Sequence, residues 1–356
     1  MRYVSPISKL VYTGSRAMYQ SILREQLKPA PPKKPVSNEY PIFFMHGFMG
    51  FAEMKIFDIK LFDYFNGVKE LLEQMGYTVF TKSVTPIAPP QDRAKEWARH
   101  ITDVLQQTGA EKVHIIAHSQ GCIDARVVAA PPTHSCTTLH GCDLHGMGMD
   151  EQIASITTIG GPHLGTPLAD DTDDTEIEKL MIEMIGFIAL ITGSSETKAR
   201  EAIESMSREY MTKTFNQHIK VPNTIPCYTV AGNPKDKKYV SFLFDRTWEA
   251  LMQISLEDGG GDNDGFVPVS SARFDDNNTK LAGTDEPQWQ HLGEITADHI
   301  AMIGIPVEFT RKQVFSHLPM YVGLAQNVDT CYKRNITLAL NADGEWTRIC
   351  NLLETA

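Results

Sequence analysis

The strand-like runs of this chain are apolar throughout rather than at every second position. They are YPIFFMHG (40–47), KVHIIAH (112–118), ASITTIGGP (154–162) and TIPCYTVAG (224–232). A strand without polar alternation has no face to give to water, so it must be covered on both sides. Between these runs lie segments with helical spacing: YFNGVKELLEQM (64–75), QDRAKEWARHITDVLQQTG (91–109) with a glycine stop, and CIDARVVAA (122–130). YTVFTKSV (77–84) reads as a further strand. Alternating apolar strands and helices predict an α/β fold, a mostly parallel central sheet with helices on both faces.

The bulk numbers agree with such a core. The chain has 356 residues, 42% hydrophobic and 22% charged, with a formal net charge of −11. That balance argues against nucleic acid or an anionic membrane held by charge. The N-terminal stretch MRYVSPISKLVYTGSRAMYQSIL lacks the unbroken apolar core and small-residue cleavage site of a secretory signal. No run of uncharged apolar residues reaches the roughly 18 needed to span a bilayer. The compartment is left open, and nothing in the sequence speaks to oligomeric state.

The six cysteines fit no C-x-x-C metal pattern. Cys136 with Cys142, and Cys331 with Cys350, are close enough in sequence to invite disulfides, while Cys122 and Cys227 read as buried thiols. Residues 1–39 form an extension ending in the proline-rich linker KPAPPKKPVSN; a catalytic domain is expected over 40–310, and a C-terminal extension packed on it over 311–356. Two segments interrupt the strand–helix rhythm. Residues 131–152 form a Gly/His/Cys-rich loop whose spacing fits no common zinc motif. Residues 170–215 are an insertion whose middle, EKLMIEMIGFIALITG (178–193), is apolar nearly all round, as a buried or interface-seeking helix would be.

At the end of KVHIIAH the chain runs Ala117-His118-Ser119-Gln120-Gly121 and enters a helix. A serine between strand and helix, with small residues two before and two after it, is the turn that exposes a nucleophilic hydroxyl. Such a hydroxyl needs a base and a group to hold that base, in the chain order Ser, Asp or Glu, His. It also needs two amide donors for the oxyanion. One is the residue after the serine, Gln120; the other is Phe48 in His46-Gly47-Phe48-Met49-Gly50, after an earlier strand.

FFMHGFMGF, AHSQGCIDARVVAA, SITTIGGPHLGTPLAD and NDGFVPVSSARF resemble blocks of bacterial triacylglycerol lipases of the Pseudomonas, Burkholderia and Proteus type, from about Tyr40 to Gly304. The resemblance implies an α/β-hydrolase fold with an inserted helical lid, residues 178–193, whose apolar face would cover the site in water. It implies Ser119 as nucleophile, Phe48 and Gln120 as oxyanion donors and Asp264 as the acid. His46 and His118 read as structural or pocket-lining residues, and with Met49 they are the candidate substrate contacts. Asp264 also lies in the turn before FVPVSSARF, where a carboxylate can reach a histidine; Asp258 and Asp262 are rivals in the same loop.

Two histidines compete for the third place. His291 in WQHLGEI resembles the Burkholderia-type string, and His299 in TADHIAMIG the Proteus-type string. The Asp-His pair before an apolar helix start favours His299, with His291 a loop residue flanking the pocket. His163 reads as a turn residue. In those lipases a carboxylate two residues after the histidine helps hold a structural calcium. Here that place is Ala301, or Gly293 if His291 is used, so the calcium site is expected to be weakened or lost although Asp245 could match the other ligand. The string EDGGGDNDG lacks EF-hand spacing. No cofactor is required. The implied reaction is hydrolysis of acylglycerol or other lipid esters, at a lipid–water interface, through an acyl-enzyme on Ser119. The same triad also serves an acyltransferase, thioesterase or polyester depolymerase, and the fold without the chemistry a binding protein.

Overall fold

The computed structural model describes residues 38–48, 50, 53–56, 59–132, 136–137, 143–170, 179, 182, 196–254, 259–274, 289–305, 315–328, 337–340 and 346–349. At its centre six strands form one sheet: β1 (Ile42–Met45), β2 (Val79–Thr81), β3 (Val113–His118), β4 (Ile153–Ile159), β5 (Cys227–Gly232) and β6 (Gln290–Ile295). Their order is β6-β5-β4-β3-β1-β2, and every pairing is parallel.

The uninterrupted apolar runs explain themselves here. Side chains alternate between faces along a strand, so Phe43 and Met45 enter one core cluster while Ile42 and Phe44 enter another. Strand β3 divides in the same way, Ile115 and Ala117 to the first and Ile116 to the second. Helices α1 (Val68–Gln74), α2 (Pro90–Thr108), α3 (Gln120–Ala129), α4 (Glu196–Glu204), α5 (Asp245–Gln253) and α6 (His317–Gln326) supply the cover. Trp97, Ile101 and Val104 of α2 join the first cluster; Val68, Leu71 and Leu72 of α1 join the second with Leu318, Tyr321 and Leu324 of α6. Each such fully buried side chain contributes about 1.5–3 kcal/mol of transfer free energy.

Two outcomes differ from the sequence reading, and a third call falls outside the described residues. WQHLGEI is the edge strand β6 rather than a loop. YTVFTKSV contributes only three residues to β2. Of the apolar segment 178–193 only Lys179 and Ile182 are described, both exposed, so the lid falls outside the described residues. Part of the wider insertion is described: Ala199, Ala202 and Ile203 of α4 pack with Met206, Ile87 and Ala169 against the Phe48 side chain.

Candidate active site

Strand β3 ends at His118 and α3 begins at Gln120, leaving Ser119 to make the whole turn. It does so at φ 57°, ψ −132°, a left-handed value that a residue with a Cβ adopts only under strain. The sequence permits this because its neighbours are glycines. A Cβ on Gly121 would lie 2.6 Å from the Met45 carbonyl oxygen, and one on Gly47 would lie 2.5 Å from the Ser119 Cβ. The Ser119 amide donates to Ile159 O at 3.0 Å and the Cys122 amide to Ser119 O at 3.0 Å, which pins the turn to β4 and to α3.

Two further turns converge on the hydroxyl. Asp264 is fully buried in the turn after α5, where its Oδ1 accepts the Phe266 amide at 2.9 Å and the Val267 amide at 2.6 Å. That leaves Oδ2 for Nδ1 of His299, 2.7 Å away. His299 follows β6, and its own amide donates to Asp264 O at 2.9 Å. Because the carboxylate accepts at Nδ1, the proton resides there, and Nε2 presents its lone pair to Ser119 Oγ at 2.9 Å. The rings of Phe266 and Phe244 flank the imidazole at 5.3 and 6.3 Å. Ser119 is 4% exposed and His299 7%.

Two main-chain amides bear on the oxyanion donors read from the sequence. Those of Phe48 and Gln120 have no hydrogen-bond partner among the described residues. The loop that carries Phe48 is built from underneath. The Gly47 amide donates to the Tyr64 hydroxyl at 3.0 Å, and that hydroxyl donates onward to His118 Nδ1 at 2.8 Å. The guanidinium of Arg93, fully buried, donates to His46 O at 2.6 Å and Gly47 O at 3.2 Å. Its Nε pairs with Asp124 at 2.7 Å, and the Trp97 indole donates to the same oxygen at 3.0 Å. Burial pushes the Asp124 carboxyl up to about 6, against the pull of Arg93. Sequence reading missed Arg93, Asp124 and Tyr64. The signal was there in two of them: a lone charge on each of two otherwise apolar helix faces.

The remaining candidates fall elsewhere. His46 does not face a substrate: its Nδ1–H donates to Gly47 O at 2.9 Å and its Nε2 accepts the Val84 amide at 3.2 Å. Desolvation holds this buried imidazole neutral, well below the usual histidine range, and the same holds for His118. His118 lies packed against the His299 ring, 4.6 Å between centroids, rather than lining an open pocket. His291 sits on β6, where its Nδ1–H donates to Thr229 Oγ1 at 2.9 Å because that hydroxyl is itself spent on Arg273 O. His163 lies in a turn, as read, and is fully buried there, stacked on Phe274 at 4.8 Å. Asp262 pairs with Lys235 at 2.6 Å at the surface. Met49 and Asp258 lie outside the described residues.

Ala301, two residues after His299, has no side-chain oxygen, and its amide donates to Asp298 Oδ1 at 2.8 Å. Among the described residues no three His, Cys, Asp or Glu side chains come together as a metal site. Cys122 and Cys227 are buried free thiols, as read; the side chains of Cys136, Cys142, Cys331 and Cys350 lie outside what is described. No helix among the described residues is long and apolar enough to cross a membrane.

Comparison with known structures places the fold. The chain superposes on lipase 1 from Pelosinus fermentans with a TM-score of 0.57 at 19% identity, covering 82% of this chain and 99% of that one. It superposes on Staphylococcus hyicus lipase with a TM-score of 0.58 at 19% identity, covering 86% and 98%. The molecule has the α/β-hydrolase fold. In sequence it is similar to a triacylglycerol lipase from Pseudomonas fragi, 33% identical over 135 residues, 38% of this chain and 39% of that protein. A triacylglycerol lipase from Burkholderia plantarii is 26% identical over 194 residues, 51% of this chain and 48% of that protein. Sequence similarity to bacterial triacylglycerol lipases thus holds over stretches of 135 and 194 residues, and the chain spans only about half the length of these relatives or less. No protein-family model matches the chain.

Proposed function

We propose that the protein is a serine ester hydrolase acting on carboxylic esters of lipids, with Ser119, His299 and Asp264 as its triad and the Phe48 and Gln120 amides as its oxyanion hole. The observation that carries this reading is the continuous line Ser119 Oγ–His299 Nε2 at 2.9 Å and His299 Nδ1–Asp264 Oδ2 at 2.7 Å, beside two unpartnered amides.

As Ser119 Oγ attacks the ester carbonyl, its proton passes to Nε2 of His299, and the Asp264 carboxylate stabilises the imidazolium through Nδ1–H. The negative oxygen of the tetrahedral intermediate takes hydrogen bonds from the Phe48 and Gln120 amides. Gln120 also opens α3, whose N-terminal partial positive charge acts on the same oxygen. The alcohol departs with the proton from Nε2. Water, losing a proton to the same nitrogen, then cleaves the acyl-enzyme, and Ser119 recovers its hydrogen. These groups supply nucleophile, base and electrostatic stabilisation without a metal.

The names of the sequence relatives favour acylglycerols as the ester class. The apolar composition of residues 178–193 suits contact with acyl chains at a lipid–water interface.

The test is hydrolysis of p-nitrophenyl esters of graded chain length and of emulsified triacylglycerol, together with labelling by a fluorophosphonate. Expected are activity on esters and a single label lost in Ser119→Ala. Folded protein that neither labels nor hydrolyses any ester overturns the reading and leaves the fold a binding scaffold. Preferential transfer to a non-water acceptor would redirect it to acyl transfer.

A further inference from the structure

Asp298 is fully buried, and both of its carboxylate oxygens are engaged by backbone. Oδ1 accepts the Ile300 amide at 3.2 Å and the Ala301 amide at 2.8 Å, closing the turn that begins at His299. Oδ2 accepts the Ser241 amide at 2.5 Å, 57 residues away along the chain. From Ser241 the chain folds back tightly: its Oγ accepts the Leu243 amide at 3.1 Å and its carbonyl the Phe244 amide at 2.9 Å. This return delivers the Phe244 ring edge-on to His299. Phe244 in turn abuts the Asp264 turn, where a Cβ on Gly265 would lie 2.6 Å from the Phe244 Cβ. One carboxylate thus joins the turn that carries the imidazole, the segment that walls it and, through that wall, the turn that carries its acid partner.

We propose that Asp298 is a positioning residue for His299, acting in its ionised form through three backbone amides and touching none of the reacting atoms. The inference rests on the reading of Ser119, His299 and Asp264 as a triad. The chemistry explains why ionisation matters. Three N–H groups need three acceptor sites, and a carboxylate has only acceptors to offer. An amide in its place has one oxygen, so its NH2 must face an N–H on one side. A protonated acid likewise keeps one oxygen occupied by its own hydrogen. The titratable groups that bear on Asp298 are Asp264, whose like charge disfavours ionisation, and His299, which favours it. Burial is the largest influence and pushes the carboxyl up to about 6, within the working range of an esterase.

The experiment compares wild type, Asp298→Asn and Asp298→Ala by kcat and KM on p-nitrophenyl butyrate across pH 5–9, with thermal unfolding in parallel. In Asp298→Asn we expect kcat to fall about 10- to 100-fold, the scale of a misplaced catalytic group, with KM within about twofold. We expect the acid limb of the wild-type profile to contain two ionisations and that of Asp298→Asn only one. A folded Asp298→Asn with kcat within about twofold of wild type overturns the proposal. So does a wild-type acid limb fitted by a single ionisation, which is decisive even if both variants fail to fold. Wild type that neither hydrolyses esters nor labels at Ser119 refutes the triad instead, so the two failures are distinguishable.

Discussion

The hydroxyl of Tyr64 takes the amide hydrogen of Gly47 at 3.0 Å, and the next amide along, that of Phe48, has no partner among the described residues. The same hydroxyl holds His118, the residue before Ser119, at 2.8 Å. One phenol therefore ties the Gly47–Phe48 loop to the residue before Ser119, the two segments of the proposed oxyanion hole. Tyr64→Phe removes the acceptor and the donor together while keeping the ring. We expect about a tenfold drop in kcat, with stability lower by about 1–3 kcal/mol for the stranded Gly47 amide. Steady-state kinetics and urea unfolding measure the two, and an unaltered kcat would mean that the loop holds itself.

Arg93 contributes to the same loop by a fork of donors: Nη2 reaches His46 O and Gly47 O while Nε reaches Asp124. A lysine is a single point charge and cannot serve all three. Arg93→Lys should lower kcat about 10- to 100-fold with little change in KM. Asp124→Ala, which leaves the guanidinium buried and unpaired, should cost about 3–5 kcal/mol of stability. A denaturation midpoint unchanged in Asp124→Ala would contradict the pairing.

His299 and His291 separate cleanly in the structure, and the alanine variants should separate as sharply. His299→Ala removes the base between Ser119 and Asp264, and loss of activity of about 10⁴-fold or more is expected. His291→Ala removes a hydrogen bond to Thr229 on the neighbouring strand, and should cost about 1 kcal/mol of stability with activity near wild type. Rates on one soluble ester suffice. Survival of activity in His299→Ala with its loss in His291→Ala would reverse the assignment.

Acid should unfold the protein early. His46, His118, His163 and His317 are all buried, and burial lowers each of them, His317 to about 4. Their unfolded values lie near 6.5, so below that pH the unfolded chain binds protons that the fold refuses. The stability these histidines confer is complete above pH 6.5 and is lost as pH falls toward their folded values, by up to about 1.4 kcal/mol per pH unit for each. Asp124 and Asp298 work in the opposite direction. Both are raised to about 6, so their contribution favours the fold at low pH and is lost as pH rises through 6. With four groups against two, calorimetry should show Tm falling between pH 6.5 and 4. A flat Tm over that interval would mean that the histidines are hydrated.

How much of this was legible in the chain follows from what each feature needs. Strands β1, β3, β4 and β5 were visible because burial on both faces erases polar alternation, a local property. Strand β6 was not, because as an edge strand it is half-exposed, and His291 and Glu294 gave it the look of a loop. The serine turn was legible because its strain demands small neighbours at fixed offsets. His46 and His118 were read as pocket residues because a histidine beside a catalytic motif invites it; their ring surroundings, Trp97 and Tyr64 among them, come from other segments.

By itself the sequence determined the parallel sheet and the place of the serine turn, since these depend on residues within a few positions of one another. Only the tertiary structure decided which histidine stands between Ser119 and Asp264, which amide remains free and which buried charges hold the His46–Phe48 loop. Each of those depends on a distance between residues far apart in the chain: 180 positions from Ser119 to His299, 31 from Arg93 to Asp124 and 17 from Gly47 to Tyr64. No local propensity specifies such a separation; the packing of the helices on the sheet does.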